Sequence, residues 1–474
     1  MATSAAGQNF DQVLAADPSR PAALLLGHIG STMLPRRALP AGRLVTQNMA
    51  ALLTGGTRLV VACLLVLVAM AGLARAETVS ASSTTIVSGQ SDPRDGTVHT
   101  VVPFLELVSL RASDVKNPLL SDTQIVVSGW GEAVAGDPRD GKSVLGDVDV
   151  AYLQGSTWHQ HVSLRLGRQF VYSGTTSNVQ IDGLAPTLRL GAGFGVSGFV
   201  GVPVTPRFAY SRGEFATGAR LFWSHSLESE VGVSVMEILG AGRHVARQDA
   251  GIDARYRVLA SLALSGLARF SLAEARLAEA NVAANWSPWR RLDVTADYRR
   301  TAPDLFLPRY SIFSVFAQET RDEVGGFVSL RPWPKRIDLQ GDFHEVHDAS
   351  GWGWNAGGKA TLRLGCSGGT RVGIESRRLR IAGNGYLMGR AFGWQTVTTK
   401  IRVVADLDGY TLDQQLNGQN RSYFASGSLV YDVAPAWRAV LTGMANMTPY
   451  ATHQIEGLLK VVYDGGRAVK EVTQ

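Results

Sequence analysis

Four short constellations in this chain hold residue types that can do chemistry. Histidines lie close together in His344-Glu345-Val346-His347 and in His159-Gln160-His161. Imidazoles two apart on a strand share a face and can touch one ion. Neither pair has a third ligand nearby, so wall or interface histidines are the favoured reading and no metal is expected. Gly193-x-Gly195-x-x-Gly198 has the letters of a dinucleotide cradle, yet no helical period follows, and the cradle needs a helix N-terminus to hold phosphate. Gly365-Cys366-Ser367-Gly368-Gly369 has the spacing of a nucleophile elbow. That elbow needs a helix directly after its serine, whereas Thr370–Glu375 alternates as a strand does, so a hairpin turn is favoured. No cofactor is expected and no catalytic residue is assigned. A barrel hydrolase that assembles its catalytic groups across strands stays open.

Charge is the remaining chemistry. The formal net charge of the whole chain is +6, but six arginines and only Asp11 and Asp17 precede Glu77, so the remainder carries about +2. A global pull on polyanions is therefore weak, and nucleic acid is not an expected partner. Distribution matters more. Arg165, Arg220, Arg255, Arg257, Arg299, Arg336, Arg363, Arg371, Lys400, Arg402 and Arg438 fall on the polar sides of alternating segments. Asp147, Asp149, Asp253, Asp293, Asp297, Asp338, Asp342 and Glu375 share those sides. One reading is a set of cross-strand ion pairs that stiffen a wall. The other is an arginine-lined path for anionic solutes, since a guanidinium grips carboxylate or phosphate in a planar fork.

The elements that position these charges are strands. In Arg291–Arg299 the residues Leu292, Val294, Ala296 and Tyr298 alternate with charged or polar ones, and Arg336–His344 repeats the pattern. Similar segments recur from about residue 98 onward, each with one apolar and one polar face. Full charges on the polar faces suit a water-filled lumen better than the core between two sheets. Aromatics near segment ends (Tyr152, Trp286, Tyr298, Phe343, Trp437, Tyr463) suit membrane–water interfaces. Outside residues 59–76 no run reaches the roughly 20 apolar residues of a spanning helix. The fold class expected is all-β: a transmembrane antiparallel barrel of about 18 strands, within 16–20.

Residues 59–73 form an apolar run between Arg58 and Ala74-Arg75-Ala76, the layout of a secretory signal cleaved between Ala76 and Glu77. A start at Met49 gives that leader ordinary proportions. The organisation expected is therefore 1–48 as a mis-assigned extension, 49–76 as signal peptide and 77–97 as a short periplasmic segment. The barrel is expected over 98–463, with 464–474 as a tail. A retained anchor and lipidation at Cys63 are the weaker alternatives. Cys63 lies in the leader, so Cys366 is the single thiol left and no disulfide framework exists. Asp92-Pro93-Arg94-Asp95-Gly96 recurs as Asp137-Pro138-Arg139-Asp140-Gly141, which reads as two similar turns, with calcium binding as the sharper alternative. Ser271–Trp286 is read as a strand despite its helix propensity. Thr301–Glu319 is either an outer loop or a constriction folded inward.

Leu164-Arg165-Leu166-Gly167-Arg168-Gln169, followed by Gly174 and by Ile181-Asp182-Gly183-Leu184, resembles a motif of alginate-export-type outer-membrane porins. The resemblance implies a large monomeric barrel whose arginine-rich lumen passes an anionic polysaccharide. It also implies lumen or constriction positions at Arg165 and Arg168. The function expected is an outer-membrane channel for hydrophilic, anionic solutes, with an exopolysaccharide exit pore as the finer version. A general small-solute diffusion porin is the alternative, and a plugged barrel acting as hydrolase or adhesin scaffold is a third. The partners expected are the outer-membrane bilayer, the barrel assembly machinery and periplasmic polysaccharide-export components.

Overall fold

A computed structural model describes residues 76–94, 97–115, 120–136, 144–172, 174, 179–204, 214–226, 228–240, 245–305, 319–334, 336–365, 369–381, 384–449 and 451–468. The leader expected over 49–76 and both cysteines lie outside them, apart from Ala76 itself. These residues form one sheet of 22 strands, each antiparallel to its neighbours in sequence. The first strands are β1 (Ala76–Arg94), β2 (Thr97–Val115), β3 (Ser121–Ala135), β4 (Val144–Thr157), β5 (Val162–Val171), β6 (Val179–Arg189) and β7 (Phe194–Pro203). Next come β8 (Phe215–Ser226), β9 (Ser229–Leu239), β10 (Val245–Leu259), β11 (Leu262–Ser271), β12 (Arg276–Trp289), β13 (Leu292–Thr301) and β14 (Arg321–Trp333). The last are β15 (Ile337–Asp348), β16 (Gly351–Leu364), β17 (Thr370–Ile381), β18 (Asn384–Thr396), β19 (Ile401–Leu416), β20 (Gln419–Ala434), β21 (Trp437–Thr448) and β22 (Ala451–Ala468). β22 pairs with β1, which closes the sheet into a barrel without a free edge.

The two faces are read from alternation and register. On β9, Val231, Val233 and Val235 are exposed, Val233 at 50%, while Ser234 and Met236 beside them are buried, Met236 at 2%. Residues directly opposite on neighbouring strands share a face, so this assignment propagates around the sheet. Outward go Val231, Ile252, Leu264, Val282, Val324, Phe343, Ile374, Leu407 and Leu441, all exposed apolar side chains. Inward go Arg220, Asp253, Asp297, Asp342, Glu375 and Arg390, linked by ion pairs. An apolar exterior of this extent on a closed barrel is a lipid-facing surface.

The rims differ. The rim at the β4–β5, β8–β9, β12–β13 and β20–β21 connections carries short turns. The opposite rim carries residues 204–214 between β7 and β8 and 302–320 between β13 and β14, together with tight hairpins over the later strands. Exposed aromatics gather at both levels: Trp223, Trp286, Trp333 and Trp437 near the short-turn rim, and Phe215, Phe343, Trp352 and Tyr423 near the loop rim. Tyr463 joins the first group, its ring 4.8 Å from that of Trp437. Such girdles sit where the bilayer meets water.

Several expectations change. The strand count exceeds the expected 18 because many connections are tight turns, such as 417–418 and 435–436, leaving more of the chain for strands. Residues 77–94, expected as a periplasmic segment, are the first strand of the barrel; their serine- and threonine-rich run lacks the alternation that marks later strands. β22 runs to Ala468, past the expected boundary at residue 463. Ser271–Trp286 resolves into the end of β11, a turn over 272–275 and most of β12. Of Thr301–Glu319, residues 306–318 lie outside the described residues. Of the two Asp-Pro-Arg-Asp-Gly copies, the first ends β1 with residues 92–94, while residues 95–96 and the whole second copy lie outside the described residues.

Candidate functional site

The functional surface of a closed barrel is its inner wall, and register decides which of the expected arginines reach it. Arg165 lies opposite Gln154 on β4 and Ala185 on β6. Its Nε and Nη2 donate to Gln154 Oε1 at 3.1 and 3.0 Å, and its guanidinium lies 4.8 Å from the Tyr152 ring centre. Tyr152 is thus an inner-wall residue, not part of an interface girdle. Arg255 and Arg257 share the inward face of β10 with Asp253. Arg257 pairs with Glu228 at 2.9 Å, while Arg255 stays 58% exposed at 3.9 Å from Glu230. Arg299 lies opposite Asn281 and Glu323 on the inner wall and forms no ion pair with a described residue. Arg363 and Arg402 also face inward, 3.5 Å from Asp338 and 3.4 Å from Asp432.

Two expected lumen residues lie elsewhere. Arg336 sits in the turn between β14 and β15, its amide donating to Trp333 O at 2.7 Å, because the strand begins one residue later at Ile337. Arg168 follows the parity of Leu166, which is 54% exposed on the outer face, and so lies on the opposite face from Arg165. Asp182 receives its Nε at 2.9 Å and its Nη2 at 3.0 Å, and Nη1 donates to Asp147 Oδ1 at 3.1 Å. The motif around Arg165 is a knot that joins β4, β5 and β6. Gln169, fully buried, donates to the carbonyls of Arg165 and Gly183 at 3.2 Å each.

That knot leads into an apolar patch on the inner wall. Val171, Val179, Ile181, Phe199, Ala216 and Met236 pack together across β5 to β9, near the loop rim. Beneath it, Arg220 donates to Glu230 at 2.8 Å and to both carboxylate oxygens of Asp253, with Nε at 3.2 Å from Oδ1. Gly174, in the β5–β6 connection, lies against this cluster. Its φ of +60° favours glycine, and a Cβ there would come within 2.7 Å of Arg220 Nε. Gly174 itself therefore lies on the inner side of the wall at this point.

On the other half of the barrel the inner wall is a ladder of charges. Arg377 forks onto Asp342 at 2.9 and 2.8 Å, and His344 Nε2 lies 3.2 Å from Asp297. Arg390 meets Asp406, Asp408 at 3.5 Å and Glu375 at 3.6 Å, and lies 5.0 Å from the Phe392 ring centre. Lys359 Nζ also lies 4.9 Å from the Phe392 ring centre. Arg371 stacks 4.4 Å from Trp394. The charge is uneven along the barrel. At the short-turn mouth Arg402 and Arg438 share the single Asp432, the latter at 2.6 Å, and Arg363 and Arg371 lie opposite each other beside one aspartate, Asp338. Deeper in, Arg220 meets two carboxylates and Arg390 meets three.

Sequence reasoning named Arg220, Asp253, Asp342 and Glu375 as polar-face residues but missed Arg377, Arg390, Asp406 and Asp408. Register, which sets who meets whom, is not written locally in the chain. In Met388–Trp394, Met388, Phe392 and Trp394 share the inner face with Arg390, and Gly389, Ala391 and Gly393 face out. Arg390 is the signal that could have oriented this strand.

The other motifs place no chemistry. Gly193-x-Gly195-x-x-Gly198 is a turn followed by strand β7. Residues 366–368 of the elbow-like motif lie outside the described residues, and strand β17 begins at Thr370. His159 and Gln160 adopt positive φ in the β4–β5 turn, where His161 Nδ1 lies 3.0 Å from Arg189 O. His344 faces the lumen, while His347 lies 4.4 Å from Trp352. Among the described residues no cluster of ligands fit for a metal ion occurs.

No protein-family model matches the chain, and no curated protein matches it by sequence. Solved structures of similar outline include the translocation pore of the P pilus usher PapC, at 9% identity and a TM-score of 0.44, covering 83% of this chain and 100% of that one. OccK5 (OpdH) of Pseudomonas aeruginosa aligns at 11% identity and a TM-score of 0.41, over 82% of this chain and 98% of that one. A BenF-like porin from Pseudomonas fluorescens Pf-5 aligns at 8% identity and a TM-score of 0.41, over 82% and 99%. The assignment rests on the chain's own geometry: an even number of antiparallel strands, closed end to end, apolar outside, charged inside and girdled by aromatics at two levels. By this geometry the chain is a membrane-spanning antiparallel β-barrel of the outer-membrane type.

Proposed function

We propose that this barrel is a passive channel for small hydrophilic solutes, with a preference for anions set at its short-turn mouth. The carrying observation is the inner wall itself, where charged side chains line strands β10 to β21 and arginines share too few carboxylates at that mouth. Cations held on a rigid wall lower the cost of bringing an anion out of bulk water. Most deeper arginines are already engaged by aspartate or glutamate, so the middle of the lumen discriminates weakly by sign. Exit of an exopolysaccharide ranks second. It draws support from the arginines, but Gly174 on the inner side of the wall narrows the space a polymer needs. The assembly machinery of the membrane is the partner such a barrel requires in order to insert.

Single-channel recording in planar bilayers tests the reading. Steady conductance is expected, with a reversal potential shifted toward anions in a salt gradient. A barrel that inserts but passes no current overturns the channel, and clear cation preference overturns the role of the mouth.

A further inference from the structure

Outward-facing arginines at the loop rim fall into two kinds. Arg168 is gripped by Asp182 and Asp147. Arg300 faces out beside Tyr298, and its Nη1 donates to both carboxylate oxygens of Asp322 at 3.0 and 2.9 Å. Both are neutralised by the barrel's own carboxylates. On β17 and β20 the situation differs. Arg378, Leu387, Thr411 and Arg421 lie in one cross-strand row on the outer face, and Arg380 is one step nearer the rim. Asp413 takes both nitrogens of Arg378, at 2.7 and 2.8 Å. Arg380 and Arg421 are exposed and form no ion pair with any described residue. Glu345 lies in the row of Arg380, two strands away across Trp354, roughly 10 Å on at the spacing of adjacent strands.

The height of this row is marked. Ile374, Leu387 and Leu407 form the exposed apolar belt, and Trp352 and Tyr423 stand near the arginines at the loop-rim girdle. Here β17 and β18 are separated by two residues, and β19 and β20 by the turn 417–418, so few residues are available above the row. A charged side chain on the lipid face is costly toward the midplane and tolerated at the interface, where headgroups answer it. Unneutralised arginines at that level fit phosphate, whose oxygens match the guanidinium fork.

We infer that Arg378, Arg380 and Arg421 form a docking surface for the phosphate-bearing headgroup of a lipid in the leaflet at the loop rim. Arg380 and Arg421 supply the free charge, and Arg378, held by Asp413, adds a fixed flank. This rests on the membrane-barrel reading, with the loop rim facing the outer leaflet.

The test uses the full chain folded in detergent micelles, with binding counted by native mass spectrometry. The probes are lipid A carrying both phosphates and lipid A stripped of them. The phosphorylated form is expected to bind, and the stripped form to bind about tenfold less or worse. Arg380→Gln with Arg421→Gln should weaken the phosphorylated form by a similar factor. The single variant Arg421→Gln, which breaks no ion pair with a described residue, gives a smaller loss and guards against misfolding. Equal binding of the two lipids, or binding unchanged in both variants, overturns the proposal. Conductance of the same preparations separates the two readings: if wild type conducts while the lipids bind alike, only the docking surface fails. If wild type never inserts, the membrane barrel fails first.

Discussion

The inner wall over β5 to β9 and the inner wall over β15 to β19 belong to the same sheet but are filled by opposite means. The first carries an apolar patch of Ile181, Phe199 and Met236 beside a buried glutamine knot, and its strands are joined at the loop rim by connections of more residues. The second carries forked arginine–carboxylate pairs and stacked cations, under two-residue hairpins. A wall that faces water needs polar groups, and a wall that is covered needs apolar ones or fully paired charges. The difference thus separates a half of the lumen that is packed from a half that is lined.

The sharpest break comes from Phe199→Ala, which should cost about 3–5 kcal/mol if the patch is packed as a core. Urea unfolding in lipid vesicles, followed by tryptophan fluorescence, reads this, and a loss below about 1 kcal/mol would make the patch part of the open lumen. Arg390→Met comes next. It leaves Glu375, Asp406 and Asp408 together without their guanidinium, so a loss of about 3 kcal/mol is expected together with a shift of the reversal potential toward cations. An unchanged reversal potential would show that ions pass away from this ladder. Gly174→Val should lower single-channel conductance by crowding the Arg220–Asp253 pair, and higher conductance would place Gly174 outside the ion path. The smallest structural effect is expected from Arg255→Gln, within about 0.5 kcal/mol of wild type because its side chain is largely exposed. Anion preference should nonetheless fall measurably, and no change there would show that Arg255 does not act on passing ions.

The sequence carried the fold further than the site. Leu292 to Tyr298 alternate cleanly because one side meets lipid and the other water, and that contrast is local. β1 hid because serines and threonines tolerate both environments, and its run of Ser82, Ser83, Thr84 and Thr85 shows no contrast to read. For Arg168 the resemblance implied a lumen position, whereas the alternation set by Arg165 puts it on the opposite face. A charge usually points into the lumen, but near the rim an outward arginine can be satisfied by Asp182 and Asp147 from neighbouring strands. Arg336 was placed on a strand because its alternation matches Asp338, and the turn that actually holds it is set by the hydrogen bond to Trp333. The Arg390 cluster draws on three strands whose pairing spans residues 370–412, which no local pattern can reveal.

The pairing of β1 with β22 has a consequence in time. Thr78 and Ala468 stand opposite each other though nearly the whole chain lies between them. Each other strand pair can zip as its hairpin is delivered, since its partners are neighbours in sequence. The seam cannot. Until the last strand arrives, β1 presents a long row of unpaired amides and carbonyls, which is costly in lipid and prone to pairing with the wrong chain. Closure of this barrel is therefore the step of greatest loop length, and a truncation before Ile455 would leave β1 to β21 without most of β22 and with no way to become a tube.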